Sequence, residues 1–151
     1  MERLIQKLTK SGVSGIDTPV FIYHLESHPK YALLTQKIFS SMENGKWKGI
    51  TSSITLMEIN VRPWQIGRED VARKYEALLV NFPNLDIVNI DRDVARFAAQ
   101  LRARFGLRPP DALQVASSLV SEAKCYLTND HRLSSLQGLI DILVLDDFIV
   151  S

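Results

Sequence analysis

Four carboxylates in this chain are placed where they could do chemistry together: Asp17, Glu58, Asp111 and Asp130. Asp17 closes the short apolar run Val13 to Ile16. Glu58 sits within Leu56-Met57-Glu58-Ile59. Asp111 follows Pro109-Pro110, and Asp130 follows Cys125 to Thr128 after Asn129. Gathered in one crevice, four acids repel, and some are forced to hold protons at neutral pH. A divalent cation removes that conflict. Hard oxygen donors, with no histidine or thiolate among them, suit magnesium or manganese. Such an ion lowers the pKa of a bound water and stabilises charge on a phosphate, so the natural reaction is phosphodiester hydrolysis.

Each acid also has an ordinary explanation. Asp17 fits a turn or a helix cap, and Asp111 fits an N-cap. Asp130 fits a turn. Glu58 lies among apolar neighbours, where an unpaired charge costs on the order of several kcal/mol. An ion pair with Arg62, one helical turn on, would relieve it. The chain has 17 acidic residues, so choosing four is easy and the elements that carry them must decide.

Those elements alternate. Val13 to Ile16, Gly49 to Ser53, Leu85 to Ile90, Lys124 to Thr128 and Asp141 to Leu145 read as strands. Thr18-Pro19 looks like a helix start, with Thr as cap and Pro in the first turn. Tyr31 to Met42 reads as a helix stopped by Asn44-Gly45. Ile54 to Val61 reads as a helix halted by Pro63. Val71, Tyr75, Leu78, Leu79 and Phe82 share one helical face, as do Val94, Phe97, Ala98, Leu101 and Phe105, and again Ala112, Val115, Ala116 and Leu119. Strands alternating with helices predict an α/β domain with a mainly parallel sheet. In such sheets, sites form outside the carboxyl ends of the strands. Asp17 and Asp130 fall at such ends. Glu58 and Asp111 fall in the first turns of helices.

With 151 residues, the chain reads as one domain that can bury its own core. Apolar residues make up 46% and charged residues 23%, which excludes a disordered chain. The single cysteine, Cys125, excludes an internal disulfide and a cysteine-based zinc site, and fits a cytoplasmic setting. Residues 1–11 are too charged for a signal peptide, and no apolar run suits a membrane span. They read as an N-terminal extension, either a helix or a flexible arm. The net charge is +1, so nucleic-acid binding must be argued from local charge.

The text around the acids adds a resemblance. Gly15-Ile16-Asp17-Thr18 with Val20-Phe21-Ile22-Tyr23 resembles the opening of PIN domains, especially the VapC-like toxin ribonucleases. Thr51 to Ile59 is similar to that family's second acidic motif. Leu101 to Leu107 leading to Pro110-Asp111-Ala112-Leu113 is similar to the third, and Leu127-Thr128-Asn129-Asp130 to the fourth. Four motifs in order, across roughly Gly12 to Phe148, are specific together. The resemblance implies a three-layer α/β/α fold with a parallel sheet of four or five strands. It implies magnesium or manganese held by Asp17, Glu58, Asp111 and Asp130, and endonucleolytic cleavage of single-stranded RNA. It makes Thr128 a supporting hydroxyl, beside the ligands or holding a water, with Thr18 and Asn129 helping to orient the carboxylates. It further implies an antitoxin partner that covers the site, and a homodimer. Two features depart from the family: Pro19 stands where a polar residue is common, and the segment before Asp17 is longer than in the shortest toxins.

Local charge is consistent with RNA. Arg92, Arg96, Arg102, Arg104 and Arg108 lie between Asp91 and Arg108, against two aspartates. Arg102, Arg104 and Arg108 are placed to hold phosphates, while Arg92 and Arg96 suit a solvated helix face. Trp47, between Lys46 and Lys48, suits either base stacking or a buried turn, and Trp64 is the better stacking candidate. Phe21, Ile22, Tyr23, Leu33, Leu34, Ile38 and Phe39 need not all fit in one core, and the resemblance implies that a partner binds this region and neighbouring helices. The competing reading is a non-catalytic PIN-like module that binds RNA or a protein partner. Haloacid-type phosphatases need a second Asp two residues after the first, where this chain has Pro19. Receiver domains need paired acids after the first strand, whereas Asp146-Asp147 lies at the other end.

Overall fold

The strands of this chain are four or five residues long, yet they alternate strictly in which face they bury, and that alternation sets the layers. The computed structural model describes residues 1–149. In chain order the elements are α1 (Glu2–Ser11), β1 (Val13–Ile16), α2 (Thr18–Leu25), α3 (Ala32–Glu43), β2 (Lys48–Ser52), α4 (Ser53–Gln65), α5 (Glu69–Val80), β3 (Leu85–Val88), α6 (Arg92–Phe105), α7 (Pro109–Val120), β4 (Cys125–Thr128) and β5 (Asp141–Val144). Short 3₁₀ turns run over His131–Leu136 and Leu145–Phe148. Leu127 and Leu143 face one layer with Leu34, Ile38 and Phe39 of α3. Their neighbours Tyr126, Ile142 and Val144 face the other, with Val94, Ala98 and Leu101 of α6 and Val115 and Ala116 of α7. This period of two buries both faces of the sheet.

The five strands pair in parallel in the order β3-β2-β1-β4-β5. The expected three-layer α/β/α fold with a parallel sheet is therefore observed. From β1 the chain moves outward to β2 and β3, then returns to place β4 and β5 on the other side of β1. The carboxyl ends of β1 and β4 thus flank the point where winding direction reverses, the crevice in which such sheets bind ligands. Gly15 of β1 lets α7 come close there: a Cβ would collide with Ser118 of α7 and with the Tyr126 ring. Asp111, on the first turn of α7, depends on that approach.

Residues 1–11 form a packed helix. Leu4 and Leu8 of α1 are fully buried in the same cluster as α3, a burial that contributes roughly 1.5–3 kcal/mol per side chain. Gly12 ends the helix at φ 79°, a conformation that suits glycine. Two local expectations change. Helix α4 continues through Pro63 to Gln65, with the Pro63 ring buried and the Ile66 amide bonded back to Arg62 O. A proline this near the helix end breaks little, because few turns follow it. The cap of α2 is Asp17, which accepts from Thr18 N, with Pro19 in the first turn.

Candidate active site

Asp17 leaves the central strand directly into the N-terminus of α2. Its amide bonds to Leu127 O at 2.8 Å, which ties it to the adjacent strand. Its carboxylate accepts from Thr18 N at 2.9 Å on Oδ1 and from Thr128 Oγ1 at 2.8 Å on Oδ2. It is buried, at 7% exposure. Burial raises its pKa from the ordinary 3.8 to about 6. The charges of Asp111 and Glu58 push the same way, and the bonds from Thr128 and Thr18 only partly oppose them. Thr128, expected as a supporting hydroxyl, also accepts from Asp130 N at 3.1 Å. One hydroxyl thus links two of the acids.

Glu58 lies in the second turn of α4 and accepts from Thr18 Oγ1 at 2.7 Å. A carboxylate cannot donate, so the Thr18 proton is committed to it. Thr18 Oγ1 then accepts from Gln114 Nε2 at 3.1 Å and lies 2.9 Å from Thr55 Oγ1. Gln114 Nε2 also donates to Thr55 Oγ1 at 2.7 Å, and Gln114 Oε1 accepts from Ser52 Oγ at 2.6 Å. Ser52 Oγ itself accepts from Ile54 N, so its proton goes to Gln114 and the amide has one orientation. Thr51 Oγ1 joins Thr55 at 2.8 Å. This buried network connects β2, α2, α4 and α7 beneath the acids. Among the described residues neither Asp17 nor Glu58 has a lysine or arginine partner. The Arg62 pair that would have explained Glu58 is not formed.

Asp111 and Asp130 differ from these two. Asp111 does not cap α7, whose N-cap position is Arg108 without a side-chain bond. Pro109 and Pro110 fill the first two helical positions, which leaves Asp111 at the third, three residues past the cap. It pairs with Arg108 Nε at 3.0 Å through Oδ2. Asp130 does cap the turn His131–Leu136 by accepting from Arg132 N at 3.0 Å. The Arg132 guanidinium also grips it, with Nη2 to Oδ2 at 2.7 Å and Nε to Oδ1 at 3.0 Å. That contact lowers the Asp130 pKa. Both pairs line one cavity of about 120 Å³, together with Phe105, Leu107 and Leu133.

The chemistry of this donor set fits a hard divalent cation. Three carboxylates sense one another's charge, and the most buried is pushed toward its protonated form. The Tyr126 hydroxyl, buried under the same acids, has no hydrogen-bond partner among the described residues, and burial and the charges of Asp17, Asp111 and Glu58 push its phenol well above the ordinary range. As they stand, however, no three acids, histidines or cysteines among the described residues come together closely enough to hold an ion. Arg108 and Arg132 are the counterions of Asp111 and Asp130.

Other candidates spread out. Asn129 does not touch the acids: its Nδ2 donates to Tyr31 OH at 2.9 Å and its Oδ1 accepts from Asp146 N at 3.1 Å. Arg108 lines the cavity. Arg102 Nε instead donates to Leu107 O in the loop that follows α6, and Arg104 lies over the Phe105 ring. Trp47 is buried and donates to Ser41 Oγ at 2.8 Å, so it is a turn residue. Phe21, Leu34, Ile38 and Phe39 are all buried, partly beneath α1. Leu33 of α3 stays 67% exposed, and a group of exposed apolar side chains lies on and just after α4: Met57, Val61, Trp64 and Ile66. Sequence reasoning missed Gln114 and Arg132. The signal for Gln114 was a polar side chain one turn after Asp111 amid Ala112, Val115 and Ala116. For Arg132 it was a cation two residues after Asp130.

The PIN domain family model matches residues 16–139. No curated relative matches at a significant level. Among solved structures, a toxin–antitoxin complex from Klebsiella pneumoniae aligns with a TM-score of 0.63 at 19% identity, covering 87% of this chain and 97% of that chain. VapBC2 from Rickettsia felis, bound to a DNA fragment from its promoter, aligns with a TM-score of 0.65 at 13% identity, covering 87% and 98%. DNA-bound VapBC from Salmonella typhimurium aligns with a TM-score of 0.60 at 20% identity, covering 87% and 97%. At these identities the likeness establishes the fold.

Proposed function

The chain belongs to the PIN domain family, and from that premise we propose that it is a metal-dependent endoribonuclease, the toxin of a VapBC-type toxin–antitoxin pair. The observation that carries the reading is Asp17. It is a buried carboxylate with its pKa raised to about 6, facing two further acids, and no cation of the protein pairs with it among the described residues. A folded chain accepts such a cost where the charge has a task.

Asp17, Glu58, Asp111 and Asp130 would hold magnesium or manganese, which supplies an activated water and stabilises charge on the phosphate. The chain's own residues do the rest. Thr128 and the Thr18 amide fix the Asp17 carboxylate, and the Thr18 hydroxyl fixes Glu58. Gln114 holds Thr18 from below. Arg108, at the cavity mouth, is the phosphate-binding arginine of the three expected from sequence; Arg102 and Arg104 serve α6. The substrate is single-stranded RNA, whose flexible backbone can enter a cavity this small more readily than a duplex can.

An antitoxin partner and a homodimer belong to the same proposal. The partner is supported by the solved structures of a toxin–antitoxin complex and of VapBC that the fold resembles, and by an open apolar groove of about 730 Å³ lined by Leu56, Met57, Val61 and Trp64; the homodimer rests on the resemblance alone. No helix among the described residues is long and apolar enough to cross a membrane. A cytoplasmic site of action is part of the proposal.

A second reading, a non-catalytic PIN-like module binding RNA or a partner, is favoured by one observation: Asp111 and Asp130 are each already paired with an arginine. A cleavage assay separates the two. Wild type incubated with a pool of cellular RNAs should produce discrete fragments in magnesium or manganese and none in EDTA, and Asp111→Asn should produce none in either. RNA bound but uncut under all conditions would establish the second reading.

A further inference from the structure

Among the described residues the Arg132 guanidinium hydrogen-bonds Asp130 alone: it is exposed, caps no helix and packs over no ring. Yet its fork takes up both carboxylate oxygens of Asp130, with Nε and the backbone amide on Oδ1 and Nε and Nη2 on Oδ2. Arg108 takes only Oδ2 of Asp111. Both side chains are mostly solvent-exposed, at 70% and 60%, while their carboxylates are mostly covered, at 24% and 16%. The arginines thus reach into solvent while the carboxylates they hold are covered.

We propose that Arg132 is a built-in counterion that competes with the divalent cation for Asp130 and, once displaced, becomes a phosphate-binding group for RNA at the mouth of the same cavity. This rests on the metal-dependent reading above and deepens it. Two properties of the arrangement support the exchange. When the guanidinium leaves, Asp130 keeps its orientation, because the Arg132 amide still donates to Oδ1 at 3.0 Å and the Asp130 amide still reaches Thr128. The released fork also stays on a short tether beside the cavity it already lines with Arg108. A planar guanidinium suits a phosphate as well as it suits a carboxylate. Metal loading and RNA binding would then be coupled: Asp130 would serve the cation and Arg132 the phosphate. Without metal Asp130 is neutralised by Arg132 and the phosphate-binding arginine is withheld.

The test begins without RNA. Manganese is titrated calorimetrically into metal-free wild type, Arg132→Gln and Arg96→Gln. Arg96 pairs with Asp93 on the exposed face of α6 and controls for the loss of one positive charge. An exposed ion pair is worth about 0.2–1 kcal/mol, so Arg132→Gln should bind manganese about two- to fivefold more tightly than Arg96→Gln. In RNA cleavage its KM should rise several-fold, with kcat changed less. No manganese binding by wild type would overturn the metal-dependent reading itself. Binding by wild type with Arg132→Gln no tighter than Arg96→Gln would overturn the competition alone. Tighter binding with an unchanged KM would overturn the phosphate role.

Discussion

The four acids fall into two regions built on opposite principles. Asp17 and Glu58 form a floor. They are held by the Thr18 amide and the Thr18 and Thr128 hydroxyls, from α2 and β4, and no cation of the chain neutralises them among the described residues. Asp111 and Asp130 form a rim. Each is neutralised by an arginine close in sequence, on a side chain free to swing into solvent. The floor is fixed in position but unbalanced in charge, and the rim is balanced but movable. A site that only bound its own arginines would have no use for the floor's excess charge. A site that takes up a cation needs both, a rigid seat and ligands that can close on it.

The largest expected effect breaks the floor's charge. The Asp17 pKa is about 6 in the folded protein against 3.8 ordinarily. For an acid whose folded pKa is raised, the unfolded chain ionises first. Stability is therefore lost as pH rises from about 4 to 6, and the loss persists above that window. The penalty is on the order of 3 kcal/mol. Denaturant unfolding of metal-free protein should show Asp17→Asn becoming more stable relative to wild type across this range, with manganese narrowing the gap above pH 6. A constant difference from pH 4 to 8 would remove the charge imbalance from the account.

Next comes the floor's scaffold. Gln114→Met keeps the volume but removes three hydrogen bonds inside the network. A buried polar group without a partner costs about 1–3 kcal/mol, and several hydroxyls lose theirs together. Thermal and denaturant unfolding should show a loss near the top of that range, with cleavage also falling because Thr18 is no longer held. The rim should behave in the opposite way. Arg132→Gln should shift stability by less than about 1 kcal/mol, as exposed pairs do. If Arg132 proved as costly to remove as Gln114, the division between rigid floor and movable rim would fail.

The two regions also differed in how far they could be read from sequence. The parallel sheet was legible because each strand is a short apolar run followed by a helix start, and that pattern has few topologies. The four acids were legible because each follows such an element, and their order carried the family resemblance. The partners were not. Gln114 reads as an interruption in an apolar helix face until Gly15 lets α7 approach β1, and Thr55 and Ser52 are its partners only because of that packing. Arg132 was hidden because a neighbouring Asp–Arg pair usually means a turn. The bland explanations separated cleanly: Asp17 and Asp130 do cap their elements, whereas Asp111 caps nothing and Glu58 never meets Arg62. Most of the apolar residues in the early helices pack in the layer that Leu4 and Leu8 of α1 complete, whereas Leu33 stays exposed. Whether residues 1–11 formed a helix or an arm could not be decided without the surface it covers.

The central claim is that the unbalanced floor exists to serve metal-dependent RNA hydrolysis. It is tested most directly by single-turnover cleavage of one single-stranded RNA in manganese by wild type and Asp17→Asn, both shown to be folded by circular dichroism. The account predicts a loss of about a hundredfold or more, the scale seen when a group that positions catalytic charge is removed. Equal rates for the two proteins would contradict it.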